Sequence, residues 1–218
     1  RAFWQRKVEE AFIGERYHYR SLLSKFIATI QNISSMKQFG DGLISLVSQS
    51  VGCQRACLLL PEPKEGEFTT RFFYPPVKDN PMSELKLRSD NPIVTWLKEN
   101  RVLLSERNLS IFPEFKSIWQ KEREAIQLAA IEAFVPLVNM EDLVGILVIG
   151  EKRDGRPYAL EDLHLLNKIG AQVAASMEKE YSHEQLKEQE AEMNLVNRLT
   201  AIITSNMSIN LIFEAFIR

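Results

Sequence analysis

Two cysteines and three histidines are all that this 218-residue chain offers for thiol or imidazole chemistry. A disulfide scaffold needs more of the first, and a structural zinc site needs four ligands at tight spacing. Cys53 and Cys57 stand four apart in VGCQRACLLL, which is not the C-x-x-C spacing of a redox or metal pair. His18, His164 and His183 are scattered, with no H-E-x-x-H and no paired carboxylates beside them. Charge of one sign is not in excess either. Against 29 Asp and Glu stand 27 Lys and Arg, a net charge of -2, so the basic field that draws nucleic acid is missing. No apolar run approaches the roughly 20 residues of a spanning helix. The glycine loops of phosphate cradles, dinucleotide turns and hydrolase elbows do not occur. The start, RAFWQRKVEE, has neither Met nor a signal-peptide stretch, and the chain reads as a segment of a longer protein in a reducing cytoplasm.

What is present suits an ordinary core, since 45% of residues are hydrophobic and 26% charged, close to globular averages. From Arg1 to about Val51 there is no proline, and Phe26, Ile30, Ile33, Leu43, Leu46 and Val47 recur at helical spacing. One or two long helices are expected there, with a break near residue 40 where Gly40 and Gly42 weaken the helix. Arg55 to Leu60 and Glu67 to Tyr74 flank the turn PEPKEG and predict a β-hairpin. A brief strand is expected over Glu84 to Leu87. Ser89, Asp90 and Asn91 offer N-caps, Pro92 suits a first turn, and Ile93, Trp96 and Leu97 share a helical face ending near Asn100. Val102 to Leu104 reads as a small strand, and Pro113 opens a loop that turns into a helix through Phe115, Ile118, Trp119, Ile126 and Leu128.

Ile131 to Leu137 and Leu143 to Gly150 are compact apolar runs joined by VNMED, which predicts a second hairpin of mostly buried strands. After KRDGRPY, a helical pattern starts near Ala159, passes Leu163, Leu166, Ile169, Val173 and Met177, and continues to Leu199 without proline. Residues 178 to 192 intersperse acids and bases as a solvated coiled-coil face does. The fold class expected is α+β: an antiparallel sheet flanked by helices, with long N- and C-terminal helices.

This order of elements resembles the GAF family of sensory domains. The likeness is strongest over 133 to 178, AFVPLVNMEDLVGILVIGEKRDGRPYALEDLHLLNKIGAQVAASME: an F-V-P-L strand, a polar turn, V-G-I-L-V-I-G followed by Lys152, an aromatic ahead of Glu161-Asp162, and an Ala-rich helix. Pro136 is expected to interrupt the ladder at a strand end, and Gly145 to allow close approach within a strand. Ala159 departs from the Ser or Thr cap usual at that place. The segment ERYHYRSLLSKF resembles the juxtamembrane helix before GAF domains in membrane-anchored histidine kinases, and SNMSINLIFEAF resembles the start of a second GAF domain. The division implied is 1–21 as a signalling helix, 22–180 as the GAF domain, 181–198 as a coiled-coil linker and 199–218 as a truncated second domain.

The resemblance implies an aromatic-lined ligand pocket between the sheet and the middle segment, for which Phe73, Trp96, Phe112, Phe115 and Trp119 are the candidates by position. Core packing accounts for the same spacing. It also implies a homodimer through terminal helices, with Leu163, Leu166, Val173 and Met177 as the dimer helix. No catalytic residue, metal or named cofactor is assigned. The Asn-Lys, Phe, Asp-Glu signature of cyclic-nucleotide GAF domains and a bilin-attachment neighbourhood are absent, and Lys152, Arg153 and Arg156 read as a solvated turn. The function expected is a non-enzymatic sensory and signal-relay module of a two-component histidine kinase or related regulator, such as a diguanylate cyclase or a transcription factor. The competing readings are a ligand-free dimerisation spacer and a thiol redox enzyme.

Overall fold

The computed structural model describes residues 35–62 and 66–216, with side chains up to 177 and at 186 and 189–202. The expected helices before residue 35, His18, the tip of the first hairpin and the side chain of His183 lie outside the described residues.

Ser35 starts helix α1 (Met36–Val51), its Oγ accepting from the Gln38 N–H at 3.3 Å. This satisfies one of the donors that every helix leaves open at its N-terminus. Gly52 ends the helix in the left-handed conformation at φ 65°, where glycine has no Cβ to clash. The break expected near residue 40 does not occur. A Cβ on Gly40 would lie 2.3 Å from Phe72 Cδ2, so this glycine lets the helix settle against an aromatic ring. Phe39, Leu43, Val47 and Val51 bury the same face, and their burial, roughly 1.5–3 kcal/mol for each large side chain, outweighs the propensity cost of two glycines.

Six antiparallel strands follow in the order β3-β2-β1-β6-β5-β4. The first hairpin is β1 (Ala56–Glu62) against β2 (Glu67–Tyr74), and β3 (Lys86–Arg88) adds at one edge. Helix α2 (Pro92–Asn100) is capped by Asn91, whose Oδ1 accepts from Ile93 N at 2.7 Å. A two-residue strand β4 (Leu104–Ser105) then leads into α3 (Glu106–Ile111), which the hydrophobic pattern did not announce because none of its residues is buried. A 3-10 turn (Pro113–Ser117) and helix α4 (Gln120–Leu128) complete the middle segment. Strands β5 (Ile131–Asn139) and β6 (Asp142–Gly150) form the second hairpin, and β6 pairs with β1 to join the halves. Helix α5 runs Leu160–Phe216. The chain divides into two units, one ending at Glu178 and the other beginning at Lys179.

Successive strand residues face opposite sides of the sheet. Cys57, Leu59, Phe134, Ile146 and Val148 join α2 and the middle segment in one core layer. On the other side, Gly170 of α5 lies against Val135 and Leu137. A Cβ on Gly170 would come within 3.0 Å of the Pro136 carbonyl oxygen. Both faces are covered, which is why the second hairpin reads as continuous apolar runs. Gly145 allows the close approach expected of it, with Leu59 O 3.1 Å from where a Cβ would stand. Pro136 differs from expectation: it lies within β5, paired with Ile146, beyond the stretch that β4 covers. A missing N–H is tolerated on such an uncovered edge.

Candidate functional site

The middle segment packs over the α2 side of the sheet, and it divides the five candidate aromatics. Phe115 is 1% exposed and belongs to the core layer. Its ring centroid is 6.4 Å from that of Trp96, edge-on, and 6.2 Å from that of Phe112. Phe73 and Trp96 are partly buried against the same layer. Trp119 is 59% exposed, with the Arg88 guanidinium 4.7 Å over its ring. The structure thus brings Trp96, Phe112 and Phe115 into one aromatic cluster and leaves Trp119 on an outer edge, beneath an arginine that Asp90 orients at 2.7 and 2.8 Å.

A second cluster sits where β6 passes into α5, in the stretch expected to be a solvated turn. There the expectation is corrected. Lys152 Nζ meets Asp162 Oδ2 at 2.5 Å, their side chains only 17% and 7% exposed. The same Asp162 oxygen accepts from Ala159 N at 2.8 Å. An acid in the first helical turn reaching back to the residue before the helix is half of a capping box, and it replaces the cap that Ala159 cannot provide. Tyr158 donates to Gly150 O at 2.7 Å and has Lys152 5.2 Å from its ring centre. Burial, then the negative groups around it, push its phenol well above the ordinary value. Arg153 donates to Cys53 O at 3.1 Å and to the Tyr74 hydroxyl at 3.3 Å. Arg153 is nonetheless exposed, and Arg156, exposed beside Asp154 at 3.8 Å, fits the solvated reading as well. The sequence signal for this clasp was an acid three residues after a non-capping Ala, with a lysine ten residues upstream.

Both thiols are free and buried. Burial pushes Cys53 up to about 11, partly offset by Arg153, and Cys57 up to about 12, partly offset by a hydrogen bond with Thr70. Compared with an ordinary thiol near 9.0, the thiolate fraction of Cys53 at neutral pH is about 100-fold smaller. Alkylation in the folded protein should therefore run at least about 100-fold slower than after unfolding, and rapid native labelling of either thiol would revive the redox reading. Because both thiols have raised pKa values in the fold, their contribution to stability is complete below about pH 9 and is lost as pH rises through 11 to 12. A melting temperature that holds to pH 8.5 and falls above it is the expected profile.

Of the expected dimer helix, Leu166, Val173 and Met177 are buried within a single chain and Leu163 is partly buried. They hold α5 on its own sheet, so a charge placed there breaks the fold before it reports on any dimer. The exposed apolar stripe lies further along: Leu195, Val196 and Leu199 are 62%, 58% and 52% exposed. His164 is exposed. Among the described residues no cluster of three His, Cys, Asp or Glu side chains is arranged to hold a metal, and no helix is long and apolar enough to cross a membrane.

The same architecture recurs in solved structures. The phycoerythrobilin-bound GAF domain of a cyanobacterial phytochrome is similar at a TM-score of 0.59 and 14% identity, covering 78% of this chain and 99% of that one. The GAF domain of an Acinetobacter phosphoenolpyruvate-protein phosphotransferase gives 0.56 and 13%, covering 74% and 93%. Residues 122 to 287 of a methyl-accepting chemotaxis protein give 0.57 and 14%, covering 71% and 95%. At such identities the likeness is one of fold. No curated protein sequence matches the chain. The GAF domain family model matches residues 35–179. With that match spanning most of the chain, and the six-stranded sheet and flanking helices agreeing, the chain belongs to the GAF domain family.

Proposed function

We propose that this GAF domain is the non-catalytic sensory and signal-relay module of a multidomain cytoplasmic signalling protein, of which a two-component histidine kinase is the favoured example. In this reading it works as a homodimer. An input at the aromatic cluster, or from the N-terminal segment, shifts the sheet between two arrangements. The observation that carries the reading is the Lys152–Asp162 clasp, which ties the end of β6 to the first turn of α5. A buried ion pair transmits a displacement because separating its charges is costly. The helix with the clasp at its start also bears the exposed stripe Leu195, Val196 and Leu199, spaced as a partner helix requires. A small ligand shifts such an equilibrium only by its difference in affinity for the two states.

Native mass spectrometry of the chain tests this. A dimer is expected, with added small-molecule mass if the cluster holds a ligand. A Leu195→Asp, Leu199→Asp variant should become monomeric while the melting of the sheet domain stays unchanged. A monomeric parent chain at micromolar concentration would overturn the dimer relay, and a dimer free of cargo would favour the structural spacer.

A further inference from the structure

The segment Pro113–Leu128 covers the apolar layer on the α2 side of the sheet, yet its own apolar hold is small. Phe115, Ile118 and Ile126 are its buried side chains. They belong to one buried apolar cluster with Ile93, Leu97, Phe134 and Val148. The preceding helix α3 has no fully buried residue and adds only the partly buried Leu109 to the layer. At its far end the segment enters β5 through Ala130, whose φ of 48° places a non-glycine residue in the left-handed region, a conformation disfavoured for a residue with a Cβ. Within the segment, Arg123 donates to the carbonyls of Phe115 and Lys116, both at 3.1 Å. The 3-10 turn and α4 are thereby braced as one piece.

A polar contact does the work that apolar burial leaves undone. Glu122 Oε1 accepts from Arg88 N at 3.2 Å and Glu122 Oε2 from Asn91 Nδ2 at 2.7 Å. Asn91 is buried and spends its other amide atom, Oδ1, on capping α2. The guanidinium of Arg88, aligned by Asp90, lies over Trp119 on the same edge. Hydrogen bonds to a carboxylate are among the stronger ones a fold can make. Here two converge from the β3–α2 junction on one side chain of the strap.

We propose that Glu122 is a latch holding the strap Pro113–Leu128 over the apolar layer, and that releasing it admits an aromatic or apolar small molecule to that layer. The inference rests on the ligand-sensing reading and names how its pocket is reached. The layer beneath the strap, to which Ile93, Leu97, Phe134 and Val148 belong, is apolar and presents no charge to an entering molecule. A ligand of this class would take the place that Phe115 occupies.

Hydrogen–deuterium exchange compares the native chain with Glu122→Ala, a change that keeps a strong helix former in α4. Exchange in 113–128 is expected to rise at least about tenfold, the size a lost charge-assisted hydrogen bond carries, with β1, β5 and β6 unchanged. Binding of the fluorescent aromatic probe 1-anilinonaphthalene-8-sulfonate should strengthen by about the same factor. Asn91→Asp provides an independent variant, because the carboxylate still caps Ile93 N but opposes Glu122, and it should open the strap likewise. Exchange that rises uniformly, stays unchanged, or rises in the strap without added probe binding would overturn the latch. None of these outcomes depends on the oligomeric state, so the proposal fails or stands separately from the dimer relay.

Discussion

A Lys152→Met variant should lose about 3–5 kcal/mol of folding stability, the usual consequence of deleting one partner of a buried ion pair. The loss comes less from the missing attraction than from what remains: an Asp162 carboxylate at 7% exposure deprived of its ammonium. Asp162 cannot simply turn to solvent, because it also receives the Ala159 N–H at the start of α5. Changing Asp162 to Asn in the same chain removes the orphaned charge and keeps a carbonyl oxygen for Ala159. The double variant should therefore recover part of the loss, and urea denaturation of the two singles and the double closes the cycle. A Lys152→Met chain within 1 kcal/mol of the parent, on the scale of an exposed pair, would mean that the clasp is solvated and the relay reading loses its mechanical link.

The second large effect separates core from surface among the candidate aromatics. Phe115→Ala should cost about 3–5 kcal/mol, as truncation of a fully buried ring does, since Phe115 is 1% exposed and touches both Trp96 and Phe112. Trp119→Ala should cost no more than about 1 kcal/mol, the value of its partly exposed stack with Arg88. Denaturant midpoints measured on the two variants decide the matter. Equal costs would show that Trp119 is packed as Phe115 is and that both line one interior site.

Much of the architecture was readable from residue order because the physical signals were local. Asn91 before Pro92 announces a helix start wherever it occurs, and the runs 131–137 and 143–150 were apolar enough to require burial on both faces. Failures came where the deciding partner is distant in sequence. Gly40 looked like a helix breaker because propensity is a property of one residue, whereas Phe72 makes a glycine necessary there. Leu166, Val173 and Met177 have the spacing of a dimer seam, and the same spacing serves to dock a helix on its own sheet. Helix α3 went unseen for the opposite reason: with no buried residue it carries no apolar period.

The candidate site was legible in its residues and not in its arrangement. Position in the chain pointed to Trp96, Phe112 and Phe115, and it pointed equally to Trp119, which the fold turns outward under Arg88. Glu122 showed nothing as a sequence feature, being one acid among several on a polar helix. Its importance arises from Arg88 and Asn91, more than thirty residues away.

By itself, then, the sequence determined the element order, the α+β class and the mostly buried second hairpin, since each depends on neighbours within a turn or a strand. Only the tertiary structure decided which aromatics meet, that Lys152 and Asp162 close a buried clasp, and that Glu122 latches the strap. Those outcomes depend on hydrogen bonds and burial between groups that only the folded backbone brings within reach.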